Sequence, residues 1–348
     1  MKTKMKLLIN GLAVAMALLP GLGEAQTVIS GPNITTSTWG PSGNPYVIAS
    51  DCNVPSGNTL TIQPGTVVWI GQGVSLTGNG IISAVGTSAQ HITFQAPISS
   101  QTWNTIIVNN TTGTNQFKYC DFQNATNALD FHGASLNQVS YCTFSNAVKA
   151  VSFRDNSINS AVFSSFQSMA YGIYMTDVGN NASQTDSIMN CVFTNCAVQA
   201  VYGEAIGTSA GFPCYCHSSG AISCSIKNCS INSSGGGCRF NLSGSGDGYT
   251  GYGYGYGTLR IMNNIFMSIT NNALWLYAGN SLAASGSSAN LIDNTIVNAG
   301  SGVVAQDPWD AKVQSCLFVG CTNAVSRSGS LSATVSYNGL YGNATNFT

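Results

Sequence analysis

The sequence predicts an all-β solenoid with coils of 22 residues, and three observations lead to that prediction. A pattern of apolar–x–x–(Cys/Asn)–x–(Phe/Ile)–x–Asn recurs in nine copies. Its Cys/Asn and Phe/Ile positions are two residues apart, which places both on one face of a strand. Asn, Ser, Thr and Gly separate the short apolar runs, and no 3.6-residue periodicity indicates helices.

Each copy of the repeat has one register position, and these positions define the coils. The intervals between them are 22, 22, 27, 38, 35, 30, 22 and 22 residues, so four coils are enlarged. The register positions are Cys120, Cys142, Ser164, Cys191, Cys229, Asn264, Asn294, Cys316 and Asn338. In a solenoid such residues lie above one another, because every coil repeats the same path.

Two interior columns follow from this register. One is the apolar column Phe122, Phe144, Phe166, Phe193, Ile231, Phe266, Ile296 and Phe318. The other contains the register cysteines, which we expect to be reduced and buried, since free cysteine is among the most buried residues. A Cys120–Cys142 disulfide is the alternative, because adjacent coils are about 4.8 Å apart.

The chain divides into three predicted regions. Residues 1–25 have the basic start, the short apolar core and the small-residue end of a secretory signal peptide. Residues 26–45 are expected to form a leader or cap, and residues 46–348 the solenoid. The chain ends in mid-coil, so we expect either a fragment or an exposed Phe347. A secreted or cell-surface protein without a transmembrane segment is therefore predicted.

Charged residues are scarce and narrow the function classes. They make up 7% of the chain, against about 25% in typical globular proteins. Without residues 1–25 the chain has 8 Lys and Arg against 11 Asp and Glu. A nucleic-acid binder is excluded on this ground, since phosphate contacts need clustered Lys and Arg. Because 44% of the residues are hydrophobic, a folded protein is expected rather than a disordered one. We also expect the protein to be a monomer.

Residues 46–348 resemble the right-handed parallel β-helix proteins of the pectin-lyase-like superfamily in bacteria. The resemblance is carried by the repeat and by the N-terminal stretches TLTIQPGTVV, GIISAVGT and HITFQAP. It implies a single-stranded right-handed parallel β-helix with three sheets, and polysaccharide-acting or surface proteins as the commonest relatives. It does not fix a reaction, because one fold supports many functions.

The four enlarged coils carry insertions after the same strand, so we expect the insertions to stack as a wall on one flank. They are VGNNASQT, EAIGTSAGFPCYCHSSGA, LSGSGDGYTGYGYGYG and AGNSLAASGSSA. The glycine–tyrosine tract Gly248–Gly257 is expected to be part of this wall. In the second insertion, disulfides among Cys214, Cys216, Cys224 and Cys238 are favoured over a metal site.

The strand before the insertions should present two columns of outward residues. The first is Asp130, Ser152, Tyr174, Tyr202, Arg239, Trp275, Val304 and Ser326. The second is His132, Arg154, Thr176, Glu204, Asn241, Tyr277, Gln306 and Ser328. Aromatic faces stack on sugar rings while polar side chains bond hydroxyls, so a polysaccharide is the predicted ligand. The predicted binding residues are Tyr174, Tyr202, Glu204, Arg239, Asn241, Trp275 and Tyr277. The alternative is an ordinary sheet face stabilised by cross-strand pairs.

No catalytic signature is evident in the sequence. His132 beside Arg154 suggests a base and a charge stabiliser for β-elimination, and Glu204 is a further candidate acid. A polysaccharide lyase or a glycoside hydrolase would be the enzyme class, although adjacent-coil carboxylate pairs are missing from the columns. Asp155 and Asp177 are interpreted as solvated turn residues, with acid catalysis or Ca²⁺ binding as the alternative. No other cofactor and no metal site are predicted.

The leading hypothesis is an exported solenoid that binds, and in a narrower version processes, polysaccharide along this outward face. The alternative is a non-catalytic structural or adhesin-like solenoid at the cell surface. The outward columns and the clustered insertions favour the first hypothesis. The low charge and the missing catalytic signature favour the second.

Overall fold

The computed structural model describes residues 26–109, 113–133, 136–155, 158–178, 183–210, 216–246, 252–279, 286–329 and 333–348. Apart from one short 3-10 helix, Pro41–Gly43, its regular structure is β-strand. The strands stack coil upon coil as a parallel β-solenoid, so the predicted all-β fold class is confirmed. The predicted signal peptide, residues 1–25, lies outside the described residues.

Each full coil contributes to three parallel ladders, as the resemblance implied. Strands of the first ladder alone are β1 (Thr27–Ile29), β3 (Tyr46–Ile48), β6 (Val67–Ile70), β9 (Ile92–Gln95), β12 (Cys120–Gln123), β23 (Ser230–Asn232), β32 (Leu317–Val319) and β35 (Gly339–Tyr341). Strands of the second ladder alone are β4 (Cys52–Val54), β7 (Ser75–Gly78), β10 (Trp103–Val108), β13 (Ala125–His132), β24 (Cys238–Ser243), β33 (Asn323–Ser328) and β36 (Thr345–Phe347). Five long strands pass through both ladders: β15 (Thr143–Arg154), β17 (Ser165–Val178), β19 (Val192–Ile206), β28 (Ile265–Ala278) and β30 (Thr295–Gln306).

The third ladder is a separate twelve-stranded sheet. Its strands are β2 (Ser37–Trp39), β5 (Thr59–Ile62), β8 (Ile81–Val85), β11 (Thr114–Lys118), β14 (Leu136–Ser140), β16 (Ile158–Val162), β18 (Ser183–Met189), β22 (Gly220–Lys227), β27 (Gly255–Met262), β29 (Ser288–Ile292), β31 (Asp310–Gln314) and β34 (Thr334–Ser336). Because β1 pairs with β3 and β2 pairs with β5, the predicted leader contributes the first strands of the solenoid.

Left-handed residues make the corners between ladders. The residue before each register position has φ between 50° and 58°, and the members are Tyr119, Tyr141, Phe163, Asn190, Asn228, Asn263, Asp293, Ser315 and Tyr337. A second set separates the first ladder from the second: Asn124, Asn146, Ser168, Asn195, Ser233, Ser268 and Asn298. Asn, Asp and Ser suit these positions because a short polar side chain tolerates positive φ.

The predicted apolar column is confirmed in its full register. Phe122, Phe144, Phe166 and Phe193 are buried and their rings stack, with centroids 4.6–5.1 Å apart. Ile231, Phe266, Ile296 and Phe318 continue the column. Offset stacking of this kind adds about 0.5–1.5 kcal/mol per pair beyond the burial of apolar area.

The register cysteines are reduced and buried, as predicted. Their thiols donate to backbone carbonyls, as Cys142 Sγ does to the Phe117 oxygen at 3.3 Å. Where the next register position is Asn, its side-chain oxygen accepts a hydrogen bond from the backbone N–H of the preceding register residue. Asn264 Oδ1 accepts from the Cys229 N–H in this way, at 2.8 Å. Cys and Asn therefore share the position because each completes a buried hydrogen bond in its own way.

The predicted disulfides of the second insertion are wrong for two of the four cysteines. Cys224 and Cys238 are free and buried in the core, on β22 and β24. Burial raises the pKa of both thiols well above the usual range, so they serve as small apolar groups. Cys214 and the side chain of Cys216 lie outside the described residues.

The glycine–tyrosine tract is only partly an insertion. Residues 247–251 lie outside the described residues, whereas Tyr252–Gly253 form β26. Gly255, Tyr256 and Gly257 already belong to β27, where they pair with Gly220, Ala221 and Ile222. Here the alternation is a strand pattern, because the glycines face the core and Tyr256 faces solvent. The prediction that the whole tract Gly248–Gly257 belongs to the wall of insertions is therefore wrong for Gly255–Gly257.

A second interior column is polar and lies on the third ladder. Asn115, Asn137, Asn159 and Asp186 are buried, and each amide donates to the next side chain at 3.2, 2.9 and 2.7 Å. Gln184 Nε2 also donates to Asp186 Oδ2, at 2.6 Å. Burial raises the pKa of Asp186 to about 7 against the lowering effect of these bonds.

The interpretation of Asp177 as a solvated turn residue is wrong. Asp177 lies in β17, is completely buried and accepts the Ala221 N–H at 2.6 Å. Its charge contributes to the raised pKa of Asp186. Asp155 does occupy a turn, with φ of 51°, and its side chain is 47% exposed.

No helix among the described residues is long and apolar enough to cross a membrane.

The raised pKa of Asp186 predicts a pH-dependent stability. The folded chain keeps this proton up to about pH 7, whereas an unfolded chain loses it at about pH 3.9. The free energy of unfolding should therefore fall as pH rises between these values, by about 4 kcal/mol from this group. Asp186→Asn keeps the Oδ1 acceptor and should remove this slope, while the loss of the bond that Oδ2 accepts from Gln184 Nε2 lowers stability at every pH. Denaturant unfolding at pH 4, 6 and 8 measures the difference. Exposed Asp310→Asn is the control, and a slope unchanged by Asp186→Asn would contradict the assignment.

The strand assignment of the tract predicts a cost for Gly257→Ala. A Cβ at Gly257 would lie 2.2 Å from the Cη2 atom of the buried Trp309 ring, which cannot move aside without disturbing the core. We expect a loss of about 1–3 kcal/mol in the free energy of unfolding. The neighbouring change Tyr256→Ala removes an outward ring and should cost less than about 0.5 kcal/mol. Equal effects of the two changes in thermal unfolding would disprove the assignment.

Candidate functional site

The two predicted outward columns lie on the second ladder in the predicted register. Paired residues along the first column are Asp130, Ser152, Tyr174, Tyr202, Arg239, Trp275, Val304 and Ser326. The second column runs His132, Arg154, Thr176, Glu204, Asn241 and Tyr277. The face is less open than an ordinary sheet surface, because Ser152, Asp130 and Asn241 are buried among their neighbours.

The N-terminal end of this face is a compact ionic cluster around Asp130. Arg154 Nε lies 2.8 Å and His132 Nε2 lies 3.3 Å from Asp130 Oδ1. His132 Nδ1 is 4.0 Å from Asp155 Oδ2. The sequence predicted His132 and Arg154 as neighbours but missed that one carboxylate holds both. Their role in β-elimination stays a prediction.

Three tyrosines form the middle of the face. Tyr174 and Tyr202 stack with centroids 4.9 Å apart, and Tyr171 meets both edge-on. Lys149 Nζ lies 3.6 Å from the centre of the Tyr174 ring. Burial, with the Glu204 charge, raises the pKa of Tyr174 and Tyr202, so both phenols are neutral hydrogen-bonding groups at pH 7.

Arg239 is enclosed by aromatic rings at the C-terminal part of the face. Its guanidinium carbon lies 4.2 Å from the Trp275 ring centre, 4.8 Å from Tyr277 and 5.8 Å from Tyr202. Trp275 and Tyr277 are themselves edge to face at 5.3 Å. Cation–π attraction to three rings fixes the orientation of the guanidinium plane.

Glu204 and Asn241 form a hydrogen-bonded pair in adjacent coils. Asn241 Nδ2 donates to Glu204 Oε1 at 2.7 Å. This bond holds the Glu204 carboxylate on the face beside Tyr202. The pair is thus brought together by the ladder register alone. A catalytic role for Glu204 stays a prediction.

A cavity of about 630 Å³ opens beside Arg239 and Trp275, at the corner between the first and second ladders. Apart from those two residues its lining is Ala197, Val198, Gln199, Thr270, Asn271, Asn272, Gly300 and Ser301. Gln199 is only 7% exposed, and its Oε1 has no hydrogen-bond partner among the described residues. The volume lies in the range of about 300–1,000 Å³ that is usual for small-molecule sites.

A run of three glycines lies beside this cavity. The corner column carries Lys149, Tyr171 and Gln199 in successive coils. In the next coil the corner is Gly235–Gly237, after which Asn272 and Ser301 resume the column. A Cβ on Gly235 or Gly237 would lie 2.1 Å from a backbone oxygen, so only glycine lets these coils approach so closely.

The sequence analysis missed the corner residues of the cavity. It predicted Arg239 and Trp275 but not Gln199, Asn272 or Ser301, because it followed the straight part of the strand. The signal that could have found them is the glycine run itself. Three glycines stand where the other corners carry side chains, and this indicates a close backbone approach.

The two largest insertions form adjacent hairpins at the end of the second-ladder strands. β20 (Thr208–Ala210) pairs antiparallel with β21 (Cys216–Ser218), and β25 (Ser245–Gly246) pairs with β26 (Tyr252–Gly253). β20 contacts both strands of the second hairpin. The predicted stacking of these insertions on one flank is therefore confirmed for the described parts.

No family model and no curated protein matches the sequence. Among solved structures, the chain is similar to a tailspike of an Acinetobacter phage, with 8% identity and a TM-score of 0.36 over 92% of this chain and 63% of that chain. An alginate lyase from Paenibacillus shows 15% identity and a TM-score of 0.25 over 81% of this chain and 93% of that chain. A GH87 alpha-1,3-glucanase domain in complex with nigerose shows 12% identity and a TM-score of 0.31 over 90% and 68%. At these identities and TM-scores the likenesses assign neither ligand nor reaction.

The aromatic enclosure of Arg239 predicts energetic coupling between Arg239 and Trp275. In a double-mutant cycle with Arg239→Ala and Trp275→Ala, the coupling in the free energy of unfolding should be about 0.5–2 kcal/mol. The control is a second cycle of Arg260→Ala with Trp275→Ala, because Arg260 is exposed on the third ladder. Its coupling should be less than about 0.5 kcal/mol. Denaturant unfolding of the single and double variants gives these values. Additive losses for Arg239 and Trp275 would show that the stacking contributes no stability.

Proposed function

We propose that this chain binds a glycan in the cavity beside Arg239 and Trp275. The cavity itself is the observation that carries the proposal, because it unites one large aromatic ring with a dense set of polar groups. Its lining offers the guanidinium of Arg239, the amides of Asn271 and Asn272, and the hydroxyls of Thr270 and Ser301. A polyhydroxylated ring needs this combination of an apolar face and many hydrogen bonds.

The arrangement of the rings supports a ligand beside Trp275 rather than on the tyrosines. Tyr174 and Tyr202 stack on each other, so one face of each ring is already covered. Arg239 lies over the Trp275 ring, whereas the register neighbour of Trp275 in the following coil is the small Val304. No second aromatic ring of the described residues stacks parallel on Trp275, so a sugar ring would find its contact there.

Export is part of the proposal, with residues 1–25 as the signal peptide and the secreted or cell-surface protein as the working form. Processing of the glycan is a narrower hypothesis, in which His132, Arg154 or Glu204 would act on the part of the glycan that extends beyond the cavity. Release of shortened sugars by the mature protein would be its direct sign. The adhesin-like solenoid is the alternative if no soluble glycan binds.

Trp275→Ala is expected to weaken glycan binding by at least about tenfold, which corresponds to about 1.4 kcal/mol. The measurement is a binding screen of residues 26–348 against neutral and acidic oligosaccharides, followed by titration calorimetry on those that bind. Tyr341→Ala is the matched control, because Tyr341 is an exposed aromatic residue on the first ladder. Binding that Trp275→Ala leaves intact, or a screen without any bound glycan, would refute the proposal.

A further inference from the structure

The corner column of the cavity continues into the coils that precede the glycine run. Lys149, Tyr171 and Gln199 occupy this column in three successive coils. Tyr174 and Tyr202 lie beside them on the straight part of the strands. We call the surface formed by these residues, between the Arg239 cavity and the Asp130 cluster, the corner surface.

Two half-buried cations lie at the ends of this corner surface, and no described carboxylate is within salt-bridge distance of either. Arg239 and Lys149 have no acidic group within 4.0 Å among the described residues, and aromatic rings are their contacts. Arg154 differs from them, because Asp130 pairs with it at 2.8 Å. Burial and the nearby Arg154 charge lower the pKa of Lys149, and the Asp130 charge opposes them with a smaller raising effect.

The spacing of these two cations follows from the register. Lys149 lies on β15 and Arg239 on β24, three coils farther along. At the spacing of parallel strands this separates them by about 14 Å along the solenoid axis. A single small anion cannot bridge this distance, whereas an extended polymer with repeated charges can.

We propose that the ligand of the corner surface is an acidic glycan, and that Arg239 and Lys149 bind two of its anionic groups about 14 Å apart. This inference rests on the proposed glycan-binding function and adds the charge and the length of the ligand. A guanidinium fixed flat between rings presents its N–H groups in one plane, which matches a carboxylate or a sulfate. The acidic groups nearest this surface are Glu204, which accepts a hydrogen bond from Asn241, and Asp130, which pairs with Arg154.

The test compares one polymer backbone in three charge states: dextran, carboxymethyl dextran and dextran sulfate of equal length. The mature chain should bind at least one charged form about tenfold or more tightly than dextran, and this preference should shrink as salt rises from 50 to about 300 mM. Preference for the carboxymethyl or the sulfate form identifies the anion. Equal binding of all three forms, or a charge preference indifferent to salt, would overturn the inference.

Removing single positive charges shows which residues bind the charged polymer. Arg239→Gln and Lys149→Gln should each reduce binding of the favoured charged polymer by about 5- to 20-fold, and the double change should multiply the two losses, since sites this far apart act independently. Arg260→Gln removes one positive charge from the third ladder and should leave binding unchanged. If Arg260→Gln is as harmful as the other two, the attraction is general and the inference fails. If the neutral glycans of the screen bind through Trp275 while Lys149→Gln and Arg239→Gln change nothing, the acidic ligand is refuted and glycan binding stands.

Discussion

The parallel register between successive coils is the constraint on which the rest of the structure depends. Each ladder places a residue directly above its counterpart at about 4.8 Å. Every side chain is therefore in contact with the equivalent side chains of the preceding and the following coil. Phenylalanines stack because of this, and buried amides find the next amide at hydrogen-bonding distance. The same register assembles the outward face, where Tyr174 meets Tyr202 and Arg239 meets Trp275 although their separations in the chain are 28 and 36 residues.

The site arises where the repeat is interrupted. Around the glycine run Gly235–Gly237, the ladders lose their even pairing: the register shifts between Met169 and Tyr171 on one side and between Ile269 and Asn272 on the other. Such irregularities re-aim side chains and open space in an otherwise closed stack. The missing side chains at the glycines remove one member of the corner column, and the neighbours Gln199 and Asn272 become walls of the cavity.

The sequence predicted the ladders well because a strand has a period of two and a coil a period of 22 residues. Those two periods sufficed to place Arg239 beside Trp275 and Glu204 beside Asn241. They could not place Gln199, since it lies at a bend where neither period applies. They also could not separate an insertion from a lengthened strand, so Gly255–Gly257 passed for a loop. Asp177 was misread for a related reason: burial at the end of a long strand depends on the following coil, whose Ala221 N–H it binds.

The buried polar column ends within the enlarged part of the solenoid. Asn115, Asn137 and Asn159 repeat an amide that donates to the next coil and accepts from the preceding one. Asp186 ends the series, because its carboxyl group has no amide N–H and both of its oxygens accept hydrogen bonds. The next coil places Cys224 at that position, and Leu259 and Ala289 follow, so the interior of the third ladder changes from polar to apolar. An apolar interior needs no matched amide in each coil and tolerates different chain paths between ladders. The two hairpins and the glycine run follow Asp186 in the chain, whereas the first insertion lies between Asn159 and Asp186 and leaves their hydrogen bond intact. The amide column therefore tolerates one enlarged coil before it ends.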